Sequence, residues 1–391
     1  MKVLLLCSSH NDLGLINALI KMGFEVIVTG NVENLPGQKY ADRFIKADYS
    51  DKELILEIAR MEKIDRICPC CNDFGVYTAA YVAEQMGLPG YDSYDTTLTL
   101  NNKDRFKKLA KELDILTPES EKFTDEESAV QYTEDCLYPI IIKPVDLSAG
   151  NGIHRADTPD EAKSCIHQAL EKSRNHRIVI EPFITGTQHG FCTYLIDQKV
   201  VAVCSNNEYS IQNPYRVEID TFPADKYTSA KDILIPEIER IAEHLHLVDG
   251  IFHLQYIMQD GKPQIIEVMR RVLGNMYGIP AQGLTGIDWD YWEARARVGF
   301  SLDHFPINAP QEGNFAYKTI LAPTEGTITQ ITIPENEERF ITQVYLLKHE
   351  GDVITDHLSQ PVGFIFYRFA RHKDMIDTLI TRYHNDLVSM R

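Results

Sequence analysis

The chain has 391 residues, 39 basic against 57 acidic side chains, a formal charge of −18, and 44% hydrophobic and 25% charged residues. That length predicts two to three domains with ordinary globular cores, and the negative charge excludes nucleic acid and anionic membrane as partners, leaving only a local basic pocket for any polyanion. Lys21, Lys143 and Asp197 interrupt the longest apolar stretches, so no membrane span is expected, and the short apolar run after Met1 reads as a first strand rather than a signal peptide, which makes a cytoplasmic protein the expectation.

Residues 1 to about 100 alternate strand and helix. Val3 to Cys7 is an apolar run, Leu13 to Met22 has helical spacing and stops at Gly23, and Glu25 to Thr29 is a second strand. Asp51 to Met61 predicts a helix, Ile64 to Cys70 a strand, and Tyr77 to Met86 a helix closed by Gly87. This βαβ order predicts a parallel sheet with helices on its faces. The turn after the first strand, Ser8 to Gly14, has no G-x-G-x-x-G, which argues against a dinucleotide site. Of the eight cysteines, Cys68, Cys70 and Cys71 crowd together without a second Cys or His pair at zinc spacing, so they read as structural or free thiols.

A new segment starts at Asn101 with a helix through Leu113 and a break at Thr117-Pro118. Ile140 to Ile142 is a buried strand that delivers Lys143-Pro144 into a loop from Asp146 to Ile153. There Gly150 and Gly152, with small neighbours, let backbone N–H groups converge on an anion while Lys143 adds a point charge. The Lys precedes the glycines, so this is not a Walker A loop. Thr158-Pro159 opens a helix to Ser173, and Ile178 to Ile184 is a strand that becomes an extended linker. A helix from Leu234 to Leu245 then leads to Gly250–Arg271, two alternating strands about an Asp260-Gly261 turn. Gln255 and Glu267 fall at the same level of that hairpin and can face one side, with Arg271 just beyond, an arrangement suited to a hard divalent cation carrying phosphate oxygens. From about residue 313 the strands Phe315 to Ile320, Gly326 to Thr332, Val344 to Lys348 and Val362 to Phe369, followed by a helix from Asp374 to Met390, predict a small β-rich cap.

Lys103, the Lys143 strand with its small-residue loop, Glu181-Pro182-Phe183-Ile184 and the Gln255/Glu267 hairpin, taken in this order, resemble the ATP-grasp superfamily, in particular its branch of biotin carboxylase, carbamoyl-phosphate synthetase and the purine-pathway carboxylate ligases. The resemblance implies an α/β architecture: a Rossmann-like parallel βαβ domain over residues 1–100, a two-lobed ATP-grasp domain over 101–300 with a mobile lid at about 118–185, and a β-rich C-terminal subdomain over 301–391. It implies that Lys103 and Lys143 hold the α- and β-phosphates of ATP, that the loop with Ser148, Gly150 and Gly152 closes over them, that Glu181, Pro182, Phe183 and Ile184 read the adenine, and that Gln188 meets the ribose. Glu267 and Gln255 match the metal ligands for Mg²⁺ or Mn²⁺, and Arg271 the arginine that steadies transferred charge. The sequence departs from the pattern twice, with Gln255 where most members carry Glu or Asp, and Met269 where an asparagine ligand is usual. A thioether is a poor ligand for Mg²⁺, so the second metal is either weakly held or takes another ligand, with Glu208, Glu218, Asp220 and Asn275 as the candidates.

The implied activity is ATP-dependent ligation of a small-molecule carboxylate to an amine through an acyl phosphate, with Arg271, Glu267 and Lys143 as its catalytic residues. A non-catalytic or regulatory ATP-binding protein and a phosphotransferase of the same fold are the alternatives. Arg216, Arg270, Arg271 and Lys318 are the cations available to a substrate carboxylate, the segment from Gly274 to Gly286 matches the acceptor pocket, and a homodimer is the default assembly. No Met-Lys-Met biotinylation site is present, so self-carried biotin is not expected.

Overall fold

The run Val3-Leu4-Leu5-Leu6 is fully buried in the first strand, β1 (Lys2–Leu6), as a strand covered on both faces requires. In the computed structural model, which describes residues 1–147, 150–383 and 386–391, β1 pairs in parallel with β2 (Glu25–Gly30), and the sheet is completed by β3 (Arg43–Lys46) and β4 (Arg66–Cys68) in the order β3-β2-β1-β4. The helices α1 (Leu13–Lys21), α2 (Lys52–Glu62) and α3 (Asp73–Met86) cover it. Asp51 starts α2 by accepting the Leu54 N–H at 3.1 Å, and Gly87 ends α3 in the left-handed region. Leu4, Leu6, Ile27, Ile55 and Ala79 form the core on one face. On the other, α1 lies so close to the helix Trp289–Arg297 that a Cβ on Gly14 would sit 1.9 Å from Asp290 Oδ2.

Two helices, α4 (Tyr94–Asn101) and α5 (Lys103–Glu112), lead to a second, antiparallel sheet. It consists of β5 (Glu121–Phe123), β6 (Ile140–Pro144), β7 (His154–Ala156) and β8 (Ile178–Pro182) in the order β5-β8-β6-β7. The helices α6 (Glu126–Glu134) and α7 (Pro159–Lys172) pack on it and enclose a separate core of Ile140, Ile142, Ile166, Leu170, Ile178 and Ile180. Thr158 caps α7 through the Glu161 N–H, with Pro159 in the first turn.

The third and largest sheet is antiparallel throughout. Its first five strands are β9 (Thr187–Ile196), β10 (Lys199–Tyr209), β11 (Ile219–Phe222), β12 (Gly250–Gln259) and β13 (Lys262–Met269). After α8 (Tyr227–Leu245) between β11 and β12, and α9 (Gly278–Thr285) and α10 (Trp289–Arg297) beyond β13, the chain returns to this sheet with β14 (Asn314–Ile320). It then forms β15 (Gly326–Ile331), β16 (Ile341–Leu346), β17 (Val353–Ile354) and β18 (Gly363–Phe369), of which β16 and β18 complete the order β13-β12-β9-β10-β11-β14-β18-β16. One face packs on α8 and α5 through Phe191, Leu254, Leu234 and Phe106. The other packs on α1, α9 and α10 through Tyr194, Leu19, Ala281 and Trp289, which joins it to the N-terminal sheet.

The expected C-terminal helix from Asp374 to Met390 is a correction. A short α11 (His372–Ile376) passes into one wider turn at Asp377–Thr381, and the chain finishes as β19 (Val388–Met390), paired with β15 beside β17. Leu387 and Val388 are buried with Ile328 in a core that an extended strand fills from the sheet side. Among the described residues no helix is long and apolar enough to cross a membrane.

Candidate active site

Three lysines from the middle of the chain are buried with carboxylates in reach. Lys103 opens α5, and its Nζ donates to Leu147 O at 2.7 Å and to Glu267 Oε1 at 2.9 Å. Burial alone would lower its pKa, but the Glu267 carboxylate raises it above the ordinary lysine value. One helical turn on, Lys107 reaches Glu181 Oε1 at 3.1 Å, Thr117 Oγ1 at 2.6 Å and Pro118 O at 3.0 Å. Burial, with Lys143 and Lys103 nearby, outweighs Glu181 here and brings Lys107 down to about 8. Lys143, at the end of β6, donates to Glu181 Oε2 at 2.8 Å. Glu181 is 2% exposed, and although burial opposes its charge, Lys143 and Lys107 hold its carboxyl below the usual range.

The hairpin β12–β13 supplies the facing wall. Asp260 and Gly261 have φ of 49° and 77°, the backbone of a tight two-residue turn whose twist matches the strands. Gln255 is directly opposite Glu267, and the register then slips so that Tyr256 meets Ile265. That bulge leaves Ile266 extra and turns both Ile266 and Glu267 into the same cavity. Met269 and Arg271 follow on that side. Arg271 Nε donates to Asp73 Oδ1, the first residue of α3, at 2.6 Å. Burial opposes the arginine's charge, and Asp73 more than restores it. Beside it His253 is 1% exposed and pushed down to about 3 by burial and by Arg271, so it is neutral.

Lys103, Lys143, Glu181, Gln255, Glu267, Met269, Arg271 and His253 line one cavity of about 880 Å³, with Lys107 and Asp73 behind its wall. Pro182, Phe183, Ile184, Ile257 and Ile153 give it an apolar end, where the Arg155 guanidinium stacks 4.5 Å from the Phe183 ring centre. Lys103, Lys143, Glu181, Gln188, Gly150, Gln255, Glu267 and Arg271, all expected at the site from the sequence, line it together. Gly152 does not. It turns away at φ 70°, and a Cβ there would meet Pro144 Cγ at 2.8 Å. Gly150, at φ 75°, passes so close to Tyr215 O that a Cβ would sit at 2.4 Å. Ser148 lies outside the described residues. The Glu181 side chain, expected at the adenine, is committed to the two lysines, and the linker after it faces the apolar end.

Of the cations proposed for a substrate carboxylate, Arg270 is 3% exposed and bound to Asp92 and to the carbonyls of Val248 and Ile251, which makes it a strut between segments. Lys318 is 2% exposed, away from the cavity lining and among Glu337, Asp386 and Glu218. Of the stand-in ligands, Glu218 accepts backbone N–H groups outside the cavity, whereas Glu208, Asp220 and Asn275 line it. Glu208 Oε2 accepts from Gln188 Nε2 and Gln255 Nε2, both at 2.7 Å, which leaves the Gln255 carbonyl oxygen for another partner. Lys107, Asp73, Arg155, Asn11 and Tyr317 were not read from the sequence as site residues. Lys107 alone carried a local signal, its i+4 spacing from Lys103 on one helix face.

Among the described residues no three His, Cys, Asp or Glu side chains form a preformed metal cage. Glu267 and the Gln255 carbonyl fit Mg²⁺, which takes one or two protein oxygens and completes its shell from phosphate and water.

Residues 102–305 match the family model for the carbamoyl-phosphate synthase L chain, ATP binding domain. The chain is 23% identical over 305 residues to the carbamoyl phosphate synthase large chain, N-terminal section, of Methanopyrus kandleri. That alignment covers 73% of this chain and 53% of the relative, so the chain spans about half the length of the curated relative it matches. Its fold is similar to an L-amino acid ligase from Bacillus licheniformis, with a TM-score of 0.84 and 19% identity over 100% of this chain and 98% of that one. It is also similar to an N5-carboxyaminoimidazole synthetase from Staphylococcus aureus complexed with ADP, with a TM-score of 0.77 and 15% identity over 98% and 97% of the two chains.

Proposed function

Because the chain belongs to the family of the carbamoyl-phosphate synthase large-chain ATP-binding domain, and with it to the ATP-grasp superfamily, we propose that it is an ATP-dependent carboxylate–amine ligase. The observation that carries this reading is the convergence of Lys103, Lys143, Gln255, Glu267 and Arg271 from four separate segments onto one cavity with an apolar end.

ATP lies with its adenine against Phe183, Ile184 and Ile257 and its phosphates toward Lys103 and Lys143. Each lysine then exchanges part of its contact with a carboxylate for a phosphate oxygen. Glu267 and Gln255 would hold Mg²⁺ or Mn²⁺, which would neutralise phosphate charge when bound. A substrate carboxylate attacks the γ-phosphate in line, ADP leaves, and the amine displaces phosphate from the acyl phosphate to give the amide. Arg271, fixed by Asp73, faces the region where charge develops, so it needs little reorganisation during transfer. No protein nucleophile takes part.

The test is ADP and phosphate release with Mg·ATP and pooled carboxylic acids and amines, with hydroxylamine present to trap an acyl phosphate. We expect release that depends on both pools, a trapped hydroxamate, and loss of at least about a hundredfold in Lys143→Ala and Glu267→Gln. A second reading has its own observation. Met269 faces the cavity where a metal ligand is usual, and a protein that binds nucleotide without turning it over would show tight ADP binding and no phosphate release in any pool.

A further inference from the structure

Beyond the phosphate end, the cavity has a second set of polar groups that the scheme above leaves unused. Glu208 on β10 is paired with Asp220 on β11, and Asp220 with Tyr317 on β14, so the three side chains form one row across adjacent strands. All three line the cavity, with Asp220 3% and Tyr317 2% exposed. Successive strands are about 4.8 Å apart, so the row leads stepwise away from Gln255 and Gln188, to which Glu208 is bonded. Tyr317 is hydrogen-bonded to Asp220, and its hydroxyl accepts from Asn275 Nδ2 at 3.0 Å. Asn206 is the other hydrogen-bonding neighbour of Asp220; burial and Glu208 push the Asp220 carboxyl up, and its buried Oδ1 has no close partner, so an incoming ammonium group would draw it into its charged form.

Arg216 stands at the far end of this row. It lines the cavity half-buried, within electrostatic reach of Asp356, Tyr317 and His10. Among the described residues its guanidinium makes no hydrogen bond or ion pair, unlike Arg270 with Asp92 and Arg271 with Asp73. Its position is built rather than incidental. The Glu218 carboxylate accepts the N–H groups of Ile211, Gln212 and Asn213, Asn213 Oδ1 accepts from the Tyr215 N–H at 3.1 Å, and the Arg216 N–H bonds back to Asn213 O at 3.1 Å. A buried carboxylate thus pins the loop that presents a cation to the cavity. Leaving both the guanidinium and Asp220 Oδ1 desolvated and unpaired is costly, so a ligand that satisfies both has a ready advantage.

We propose that this end of the cavity is the subsite for the amine substrate and that it selects a zwitterion, with Arg216 taking a carboxylate and Asp220 Oδ1 the ammonium. The amine is then an amino acid or a short peptide rather than ammonia or a simple amine. This inference rests on the ligase reading for its choice of substrate role, but the recognition itself is a matter of binding.

Two measurements separate the readings. In the first, each proteinogenic L-amino acid is compared with its own carboxamide as amine substrate, by ADP release, in the wild type, Arg216→Gln and Arg216→Glu. In the second, the same ligands are titrated calorimetrically into protein loaded with a non-hydrolysable ATP analogue, and the thermal midpoint of each variant reports its fold. A charge-assisted pair is worth a factor of about ten or more. We expect at least that preference for the acid over the carboxamide in the wild type, its disappearance in Arg216→Gln through KM, and its reversal in Arg216→Glu. An unchanged preference in Arg216→Gln overturns the subsite and leaves the ligase intact. Arg216-dependent amino-acid binding without turnover upholds the subsite and removes the ligase. No binding of any amino acid to the loaded wild type overturns the proposal.

Discussion

Glu181 is the residue on which the charge balance of the site turns. It neutralises two buried ammonium groups at once, and removing one partner of a buried pair leaves the others unpaired, at a cost of about 3–5 kcal/mol. Glu181→Gln therefore loses stability on that scale in urea unfolding, and a phosphate-bearing ligand recovers part of the loss. Lys107 sets a pH dependence of opposite sign to that of an ordinary ion-paired lysine. Its folded pKa is lowered to about 8 from the ordinary lysine value of 10.5. Between those two values the unfolded chain binds a proton that the fold does not, so this group adds stability as pH rises through the window and adds none below it. Urea midpoints at pH values across the window rise more steeply in the wild type than in Lys107→Met, and equal slopes would refute the assignment. The lysines were legible as charges in sequence. Their pairing was not, because Glu181 meets Lys107 only once β8 packs beside α5, a contact that no spacing along the chain encodes.

At the level of elements, the β12–β13 hairpin was readable in advance because the Asp-Gly turn and the flanking apolar–polar pattern mark two strands, which pair from Gln259 with Lys262 back to Tyr256 with Ile265. That register alone would set Gln255 against Ile266; the bulge, marked in the sequence only by the adjacent Ile265 and Ile266, brings Glu267 opposite Gln255 instead. Gly261 has open space around its Cα but φ of 77°, so the cost of a side chain there is conformational alone. Gly261→Val loses about 1–2 kcal/mol in denaturant unfolding with an unchanged m-value. The loop that carries Arg216 is pinned instead by one carboxylate on three N–H groups. In Glu218→Ala the amides of Ile211, Gln212 and Asn213 exchange with solvent at least about tenfold faster, and unchanged protection there would mean that the loop holds itself. The end of the chain was misread as a helix because Asp374 to Thr381 does have helical spacing. What ends the helix is a demand from elsewhere, the core position that Leu387 and Val388 fill as a strand.

Over the whole molecule, the formal charge of −18 opposes the few buried cations that make the cavity attractive to a polyanion. Long-range repulsion is screened over about 10 Å at 0.1 M salt, whereas contacts inside the cavity are screened much less. Association of a fluorescent ATP analogue should therefore speed up as salt is raised from about 0.01 to 0.1 M. A slowing in stopped-flow would place the lysines in control of the encounter. The parallel N-terminal sheet, the small antiparallel sheet and the hairpin were all legible because their signals are local. The row of Glu208, Asp220 and Tyr317 was not, because it exists only when three strands from distant parts of the chain lie side by side.

The family match ends at residue 305, yet the large sheet does not. Strand β11 is hydrogen-bonded on its far side to β14, and β18 and β16 continue the ladder. A gene cut after the matched segment would thus leave β11 with a raw edge of unsatisfied backbone groups and would strip Tyr317 from its row. Such a fragment is expected to self-associate through that edge rather than stand as a portable nucleotide-binding cassette. Supplying residues 306–391 as a separate polypeptide during refolding should rescue it, as a split protein is rescued by its missing half.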